Sequence, residues 1–390
     1  MGANMRRLVL LCSAFAFVCA ASVADAQTRP HAKRAVAGKK NAAAKAAPAP
    51  DTRPRFKRDD MPAPVAAAPA KPAAAQKRRH RVARKLGGGA PQPDAAAQTA
   101  KSSLRDVATC AQVKDHDAAI AGCTRVIEDA RAKPKGKTAA YYNRGNAYAA
   151  KGDQASAIAD YDEAIKLEPK NALAFNNRGT AHSEKGDSDA AIADFSEAIK
   201  YNARYASAYF NRANAYATKG EADRAIADYT AALKYNRRNV NAYIARGALY
   251  LAGGQAAKAQ ADMKLAARLE RRNAYAVLWQ DIAERRGKHK SVLAKGARGL
   301  DMKAWPAPVI RLFAGQSKPD EVAAAADNPN PAMKEAHVCE ASFYSGQFAL
   351  INGHRDEAVK LFQAAAKDCP RGFIEGIVAA AELKGLGEKL

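Results

Sequence analysis

The chain has 390 residues, with 63 Lys and Arg against 39 Asp and Glu, a net charge of +24. That length accommodates two or three compact domains or one elongated array. Residues 27–99 alone hold 17 Lys and Arg against 4 Asp, so the high pI is not that of one basic folded domain, and no nucleic-acid partner is expected.

The chain opens with Arg6 and Arg7, a largely apolar run over 8–23, and Ala24-Asp25-Ala26 before Gln27. A positive start, an apolar run of this length and an A-x-A site form a secretory signal peptide cleaved after Ala26. A periplasmic or secreted protein is therefore expected. Phe17 and Val18 precede Cys19 where a lipoprotein signal has small residues, so no lipid anchor is expected.

Residues 27–99 are dominated by Ala, Pro, Lys and Arg, with Phe56 as their one aromatic residue. Such a segment cannot bury enough surface to offset its chain entropy, and a disordered linker is expected. Its densest positive cluster runs from Lys77 to Lys85. That cluster reads as a solvated spacer or as a contact for an anionic envelope surface.

From residue 138 the sequence repeats every 34 residues, in copies at 138–171, 172–205, 206–239 and 240–273. Gly145 becomes Gly179, Ala213 and Gly247, while Ala157 becomes Ala191, Ala225 and Ala259. Tyr141, Gly145 and Tyr148 sit at i, i+4 and i+7 on one helix face. Ala157, Tyr161 and Ala164 repeat that spacing on a second helix, after a break at Lys151-Gly152-Asp153. Together with Pro169 these residues resemble the tetratricopeptide repeat (TPR) family. The resemblance implies an all-α fold, an α-solenoid of TPR helical hairpins carrying a disordered basic N-terminal tail. One hairpin cannot bury its own apolar face, so copies must stack. Residues 100–133 read as a divergent capping copy, with Ala119 and Val126 in its small-residue slots, and 134–137 as an extra loop.

Three further series follow the period. Arg144, Arg178, Arg212 and Arg246 pair by register with Asp160, Asp194, Asp228 and Asp262, an expected ladder of exposed salt bridges that fixes register and contributes little singly. Asn143, Asn177 and Asn211 lie beside Asn146, Thr180 and Asn214, on the side that lines the concave groove in TPR proteins. Side-chain amides both donate and accept, so the row can pair with a bound peptide's backbone, with Tyr142 and Phe210 supplying apolar pockets. An alternative role for the amides is to bridge neighbouring helices. The third series is the cysteines: Cys110 falls at the slot of Tyr148 and Cys123 at that of Tyr161, across one hairpin, and Cys339 and Cys369 bracket a final hairpin. Bridges Cys110–Cys123 and Cys339–Cys369 are expected, each contributing roughly 2–4 kcal/mol.

Beyond 273 the period fails. Residues 274–286 read as a helix with Leu278 and Trp279, and Trp305-Pro306-Ala307-Pro308 opens a helix over 309–313. Residues 317–321 cap a helix over 322–326, and 328–331 form a loop. A last hairpin returns to register at Gly346, Gly353, Ala358 and Phe362, followed by a closing helix over 373–383. Residues 138–385 resemble the NlpI-like TPR proteins of the bacterial envelope. This resemblance implies an adaptor that forms homodimers and brings envelope proteases and peptidoglycan hydrolases together. The family's lipid-attachment cysteine is absent here, and a long basic tail stands in its place.

The domain organisation expected is a signal peptide at 1–26, a linker at 27–99, a five-copy array at 100–273, and atypical helices, a final hairpin and a capping helix at 274–390. The seven histidines are scattered, and there is no phosphate loop, nucleophile elbow or metal-ligand spacing. No enzyme, cofactor or metal site is expected. The function expected is that of an exported adaptor binding proteins or extended peptides in its groove. The alternative is a structural envelope protein attached to an anionic surface through its basic tail.

Overall fold

Each 34-residue copy folds into two helices because polar caps and left-handed glycines break the chain at fixed places. Asn171, Asn239 and Asn273, each the last residue of its copy, cap the helix that follows by accepting from Ala174, Ala242 and Ala276 N–H, and Asp153 and Asp187 cap second helices the same way. Between the two helices Gly152 and Gly186 take φ of 84° and 88°, a conformation that strains any residue with a Cβ. The computed structural model describes residues 106–111 and 115–388. The expected signal peptide and basic linker lie outside the described residues.

After a helical piece at 106–110 comes α1 (His116–Glu128), then four hairpins: α2 (Pro134–Ala150) with α3 (Gln154–Leu167), α4 (Ala172–Lys185) with α5 (Ser188–Tyr201), α6 (Ala206–Thr218) with α7 (Ala222–Tyr235), and α8 (Val240–Ala252) with α9 (Ala256–Leu269). The chain continues through α10 (Ala274–Arg286), α11 (Leu293–Gly296), α12 (Ala307–Phe313) and α13 (Pro319–Ala325). It closes with α14 (Pro331–Ile351), α15 (Arg355–Asp368) and α16 (Ile374–Gly385). The described residues thus form a helical array without strands, and no described helix is long and apolar enough to cross a membrane. The expected loop at 134–137 is instead the first turn of α2. Pro134 stands near the helix start, where its missing N–H costs nothing, and Thr138 Oγ1 donates back to its carbonyl at 3.1 Å.

Small residues at the crossings let the paired helices close. A Cβ added at Gly145 or Gly179 would lie 2.8 Å from the ring of Tyr161 or Phe195, and one at Gly346 would meet Phe362 at the same distance. Gly179→Val should therefore overpack the α4–α5 crossing and lower stability by about 1–3 kcal/mol. The check is the urea midpoint of the purified variant; an unchanged midpoint would mean that the helices separate without cost.

The Arg–Asp ladder forms, but it is not exposed. Asp160, Asp194, Asp228 and Asp262 are all buried. Each accepts two hydrogen bonds from its arginine, as between Arg178 Nε and Asp194 Oδ2 at 2.8 Å and Arg178 Nη2 and Asp194 Oδ1 at 2.5 Å. The third guanidinium nitrogen reaches the previous copy: Arg144 to Thr124, Arg178 to Asp162, Arg212 to Ser196 and Arg246 to Thr230, at 2.6–2.9 Å. One planar fork thus ties a hairpin together and ties that hairpin to its neighbour.

The array turns back on itself at its C-terminal end. A single apolar core extends from Phe210 to Leu383, with Trp279, Phe313, Phe343, Tyr344 and Phe362 fully buried in it. Helix α16 packs against α8, and a Cβ on Gly385 would lie 2.9 Å from the Ala252 carbonyl. Arg371, in the turn between α15 and α16, donates to the Lys185 carbonyl at 3.1 Å. The structure pairs Cys110 with Cys123 and Cys339 with Cys369, their sulfurs 2.14 and 2.02 Å apart. These are the pairings that the repeat register predicts.

Candidate peptide-binding groove

The first helices of adjacent copies, α2 with α4 and α4 with α6, approach each other more closely than the second helices do. The amide row stands on these first helices. Asn143, Asn146, Asn177, Thr180 and Asn214 are half-buried, while Asn211 is buried.

Much of the row is knitted into the array itself. Asn177 Nδ2 donates to Asn146 Oδ1 at 2.8 Å and to the Tyr142 hydroxyl at 3.0 Å, which links α4 to α2. Asn211 Nδ2 donates to Asn176 Oδ1 at 3.1 Å, which links α6 to α4. Asn176 Nδ2 in turn donates to Asn177 Oδ1, so a relay of amides crosses three copies. Tyr161 and Tyr229, from the second helices, donate to Asn146 and Asn214 at 2.7 and 2.6 Å. Thr180 Oγ1 donates to its own helix, at the Asn176 carbonyl, and Asn143 Nδ2 approaches Cys110 Sγ at 3.9 Å.

The two apolar candidates are likewise occupied. Phe210 is buried, its ring centroid 5.7 Å from that of Tyr229. Tyr142 lies 6.1 Å from Tyr161. Burial raises the Tyr142 phenol above its ordinary range, against the Asn146 and Asn177 amides that pull it down.

What remains for a ligand is narrower than the full row. The Nδ2 group of Asn214 makes no hydrogen bond to a described residue, and the carbonyl of Asn143 keeps its acceptor capacity. On α8 the matching slots are Ala245 and Ala248, both buried. The row therefore ends where α16 packs on α8, and Arg371 marks the near edge of that closing hairpin. Sequence reasoning missed Asn176. Its signal is a polar residue in the slot that Tyr142, Phe210 and Ile244 fill in the other copies.

A family profile described as "TPR repeat" matches residues 145–186, and one described as "Tetratricopeptide repeat" matches residues 176–234. The chain carries tetratricopeptide repeats. No curated protein matches the sequence. Among solved structures, the TPR array is similar to a tetratricopeptide repeat protein from Parabacteroides merdae at 18% identity, covering 64% of this chain and 98% of that one with a TM-score of 0.43. It is also similar to YrrB, described as a TPR protein with an unusual peptide-binding site, at 20% identity, 47% and 94% coverage and a TM-score of 0.39. A third is PilF of Pseudomonas aeruginosa, at 14% identity, 62% and 96% coverage and a TM-score of 0.41.

Proposed function

We propose that this TPR protein is an exported adaptor that holds an extended peptide or partner-protein segment along the amide row of α2, α4 and α6. The observation that carries this reading is a row of half-buried amides in which the Asn143 carbonyl and the Asn214 donor are left unused by the fold. Amides of this kind pair with backbone groups and impose little side-chain selectivity. Two cysteine pairs at bonding distance suit an oxidising compartment, which supports the export that the first 26 residues suggest. Resemblance to NlpI-like proteins extends the reading to envelope proteases and peptidoglycan hydrolases as partners, and to a homodimer.

The test compares capture of periplasmic proteins by the full chain, by the Asn143→Ala/Asn214→Ala double variant and by a chain lacking 27–99. The double variant should capture its partners about tenfold more weakly, from the loss of hydrogen bonds of about 0.5–1.5 kcal/mol each, while melting falls modestly because the Tyr229 hydroxyl loses its Asn214 acceptor. The deletion should retain them. Capture that survives the double variant and disappears with the deletion would instead support attachment through the basic tail.

A further inference from the structure

The turns that join one copy to the next change character along the array. In the first two, Lys166 and Lys200 are paired with Glu163 and Glu197 one helical turn back. In the last two those acidic slots become Ala231 and Leu265, while Pro169 and Ala203 give way to Arg237 and Arg271. Lys234, Arg237, Arg238, Arg268, Arg271 and Arg272 are all exposed, and none forms an ion pair with a described residue. Residues 234–238 and 268–272 are each exposed throughout. Glu270 is the one acid in these two turns, and its carboxylate accepts from Asn273 Nδ2 at 2.8 Å.

Helix dipoles account for Lys234 and Arg268, which lie in the last turns of α7 and α9. They do not account for the paired arginines at 237–238 and 271–272, which lie beyond the helix ends. Beside them stand two apolar side chains that the array leaves uncovered, Tyr235 at 38% and Leu269 at 37% exposure. Tyr235 is held in place by stacking on Tyr209, with the Lys234 ammonium over its ring.

We propose that this edge is a docking surface for an anionic phospholipid bilayer, separate from the concave groove and from the basic segment before residue 100. The chemistry is that of an interfacial contact. Guanidinium forks engage phosphate in pairs of hydrogen bonds, and a Tyr ring and a Leu side chain settle at headgroup level. Protruding turn tips meet a flat surface together, whereas an extended acidic peptide needs a groove, and these turns present tips. The loss of the acidic slots in the same two copies that gain the arginines concentrates the charge on one edge.

The experiment is co-sedimentation of the full chain with equimolar phosphatidylglycerol and phosphatidylcholine vesicles at low salt. Arg237→Gln/Arg238→Gln/Arg271→Gln/Arg272→Gln should bind at least about a hundredfold more weakly, with an unchanged melting curve. Replacing the basic residues of 77–85 by Gln should have a smaller effect. Should the fourfold variant fail to fold, the two single-turn pairs carry the test, each expected to lose about thirtyfold. Wild-type affinity in these variants, or equal binding of the wild type to pure phosphatidylcholine, would overturn the proposal. So would loss of poly-glutamate binding with vesicle binding intact, which would make the edge a site for acidic proteins.

Discussion

Arg178→Met is expected to lower stability by about 3–5 kcal/mol, far beyond what an exposed ion pair contributes. The variant removes the fork but leaves the Asp194 carboxylate 5% exposed. A basic side chain that remains nearby is His182, whose Nε2 lies 4.0 Å away. A buried carboxylate without its partner bears the full cost of desolvation. Asp194→Asn should cost less, because Arg178 keeps its contact with Asp162 at 2.6 Å and lies over the Phe175 ring. The double variant Arg178→Met/Asp194→Leu should recover most of the loss, as apolar replacements of buried pairs often do. Urea midpoints of Arg178→Met, Asp194→Leu and the Arg178→Met/Asp194→Leu variant form a double-mutant cycle. Additive costs would show that the pair acts only through separate contacts and not as a unit.

The ladder marks a boundary between what the repeat period shows and what it hides. Partner identity is legible, since Arg and Asp recur 16 residues apart in every copy. Burial is not, because it comes from the neighbouring copy. The guanidinium's third contact is made by Thr124, Asp162, Ser196 or Thr230, residues that share a slot and an oxygen acceptor but differ in type. Hairpin boundaries and the cysteine pairings are legible for a simpler reason: turn glycines and caps act locally. The four residues before Thr138 mislead because a Pro-Lys-Gly-Lys run has loop composition, whereas Pro134 near a helix start is as favourable as any residue there.

The candidate groove is legible in position and only partly in role. The period places Asn143, Asn177 and Asn211 on one stripe, yet which amides bond across copies depends on rotations of α4 and α6 that a period does not encode. Asn177 and Asn211 bridge copies, while the unused donor belongs to Asn214 on the parallel stripe. The fold-back of α16 onto α8, where a Cβ on Gly385 would meet the Ala252 carbonyl, has no signal in the repeat period.

The same fold-back buries two carboxylates without a cation, and Glu375→Gln should make the protein's stability less sensitive to pH. Glu375 lies on α16 and accepts from the Tyr344 hydroxyl of α14 at 3.0 Å. Glu340, also on α14, accepts from the Tyr275 hydroxyl at 2.8 Å and from Trp305 Nε1 at 2.6 Å. His337 stacks on Trp305 at 4.4 Å, and burial holds its imidazole below the ordinary range, toward the neutral form. Burial pushes Glu375 up to about 7 and raises Glu340 well above the usual carboxylate range, the latter helped by repulsion from Glu375. Because the folded pKa exceeds the unfolded one, the folded state keeps a proton that the unfolded chain releases above pH 4.5. Stability attached to Glu375 is therefore fully present below that pH, declines as pH rises, and is lost once pH passes about 7. The shift corresponds to about 3 kcal/mol. Gln keeps an acceptor for Tyr344 and never ionises, so Glu375→Gln should match the wild type at pH 4 and exceed it by about 3 kcal/mol at pH 8. Urea unfolding at both values, followed by near-ultraviolet dichroism of the buried Trp279 and the half-buried Trp305, measures the difference. Parallel pH profiles for the two proteins would show that Glu375 titrates alike in the folded and unfolded chains.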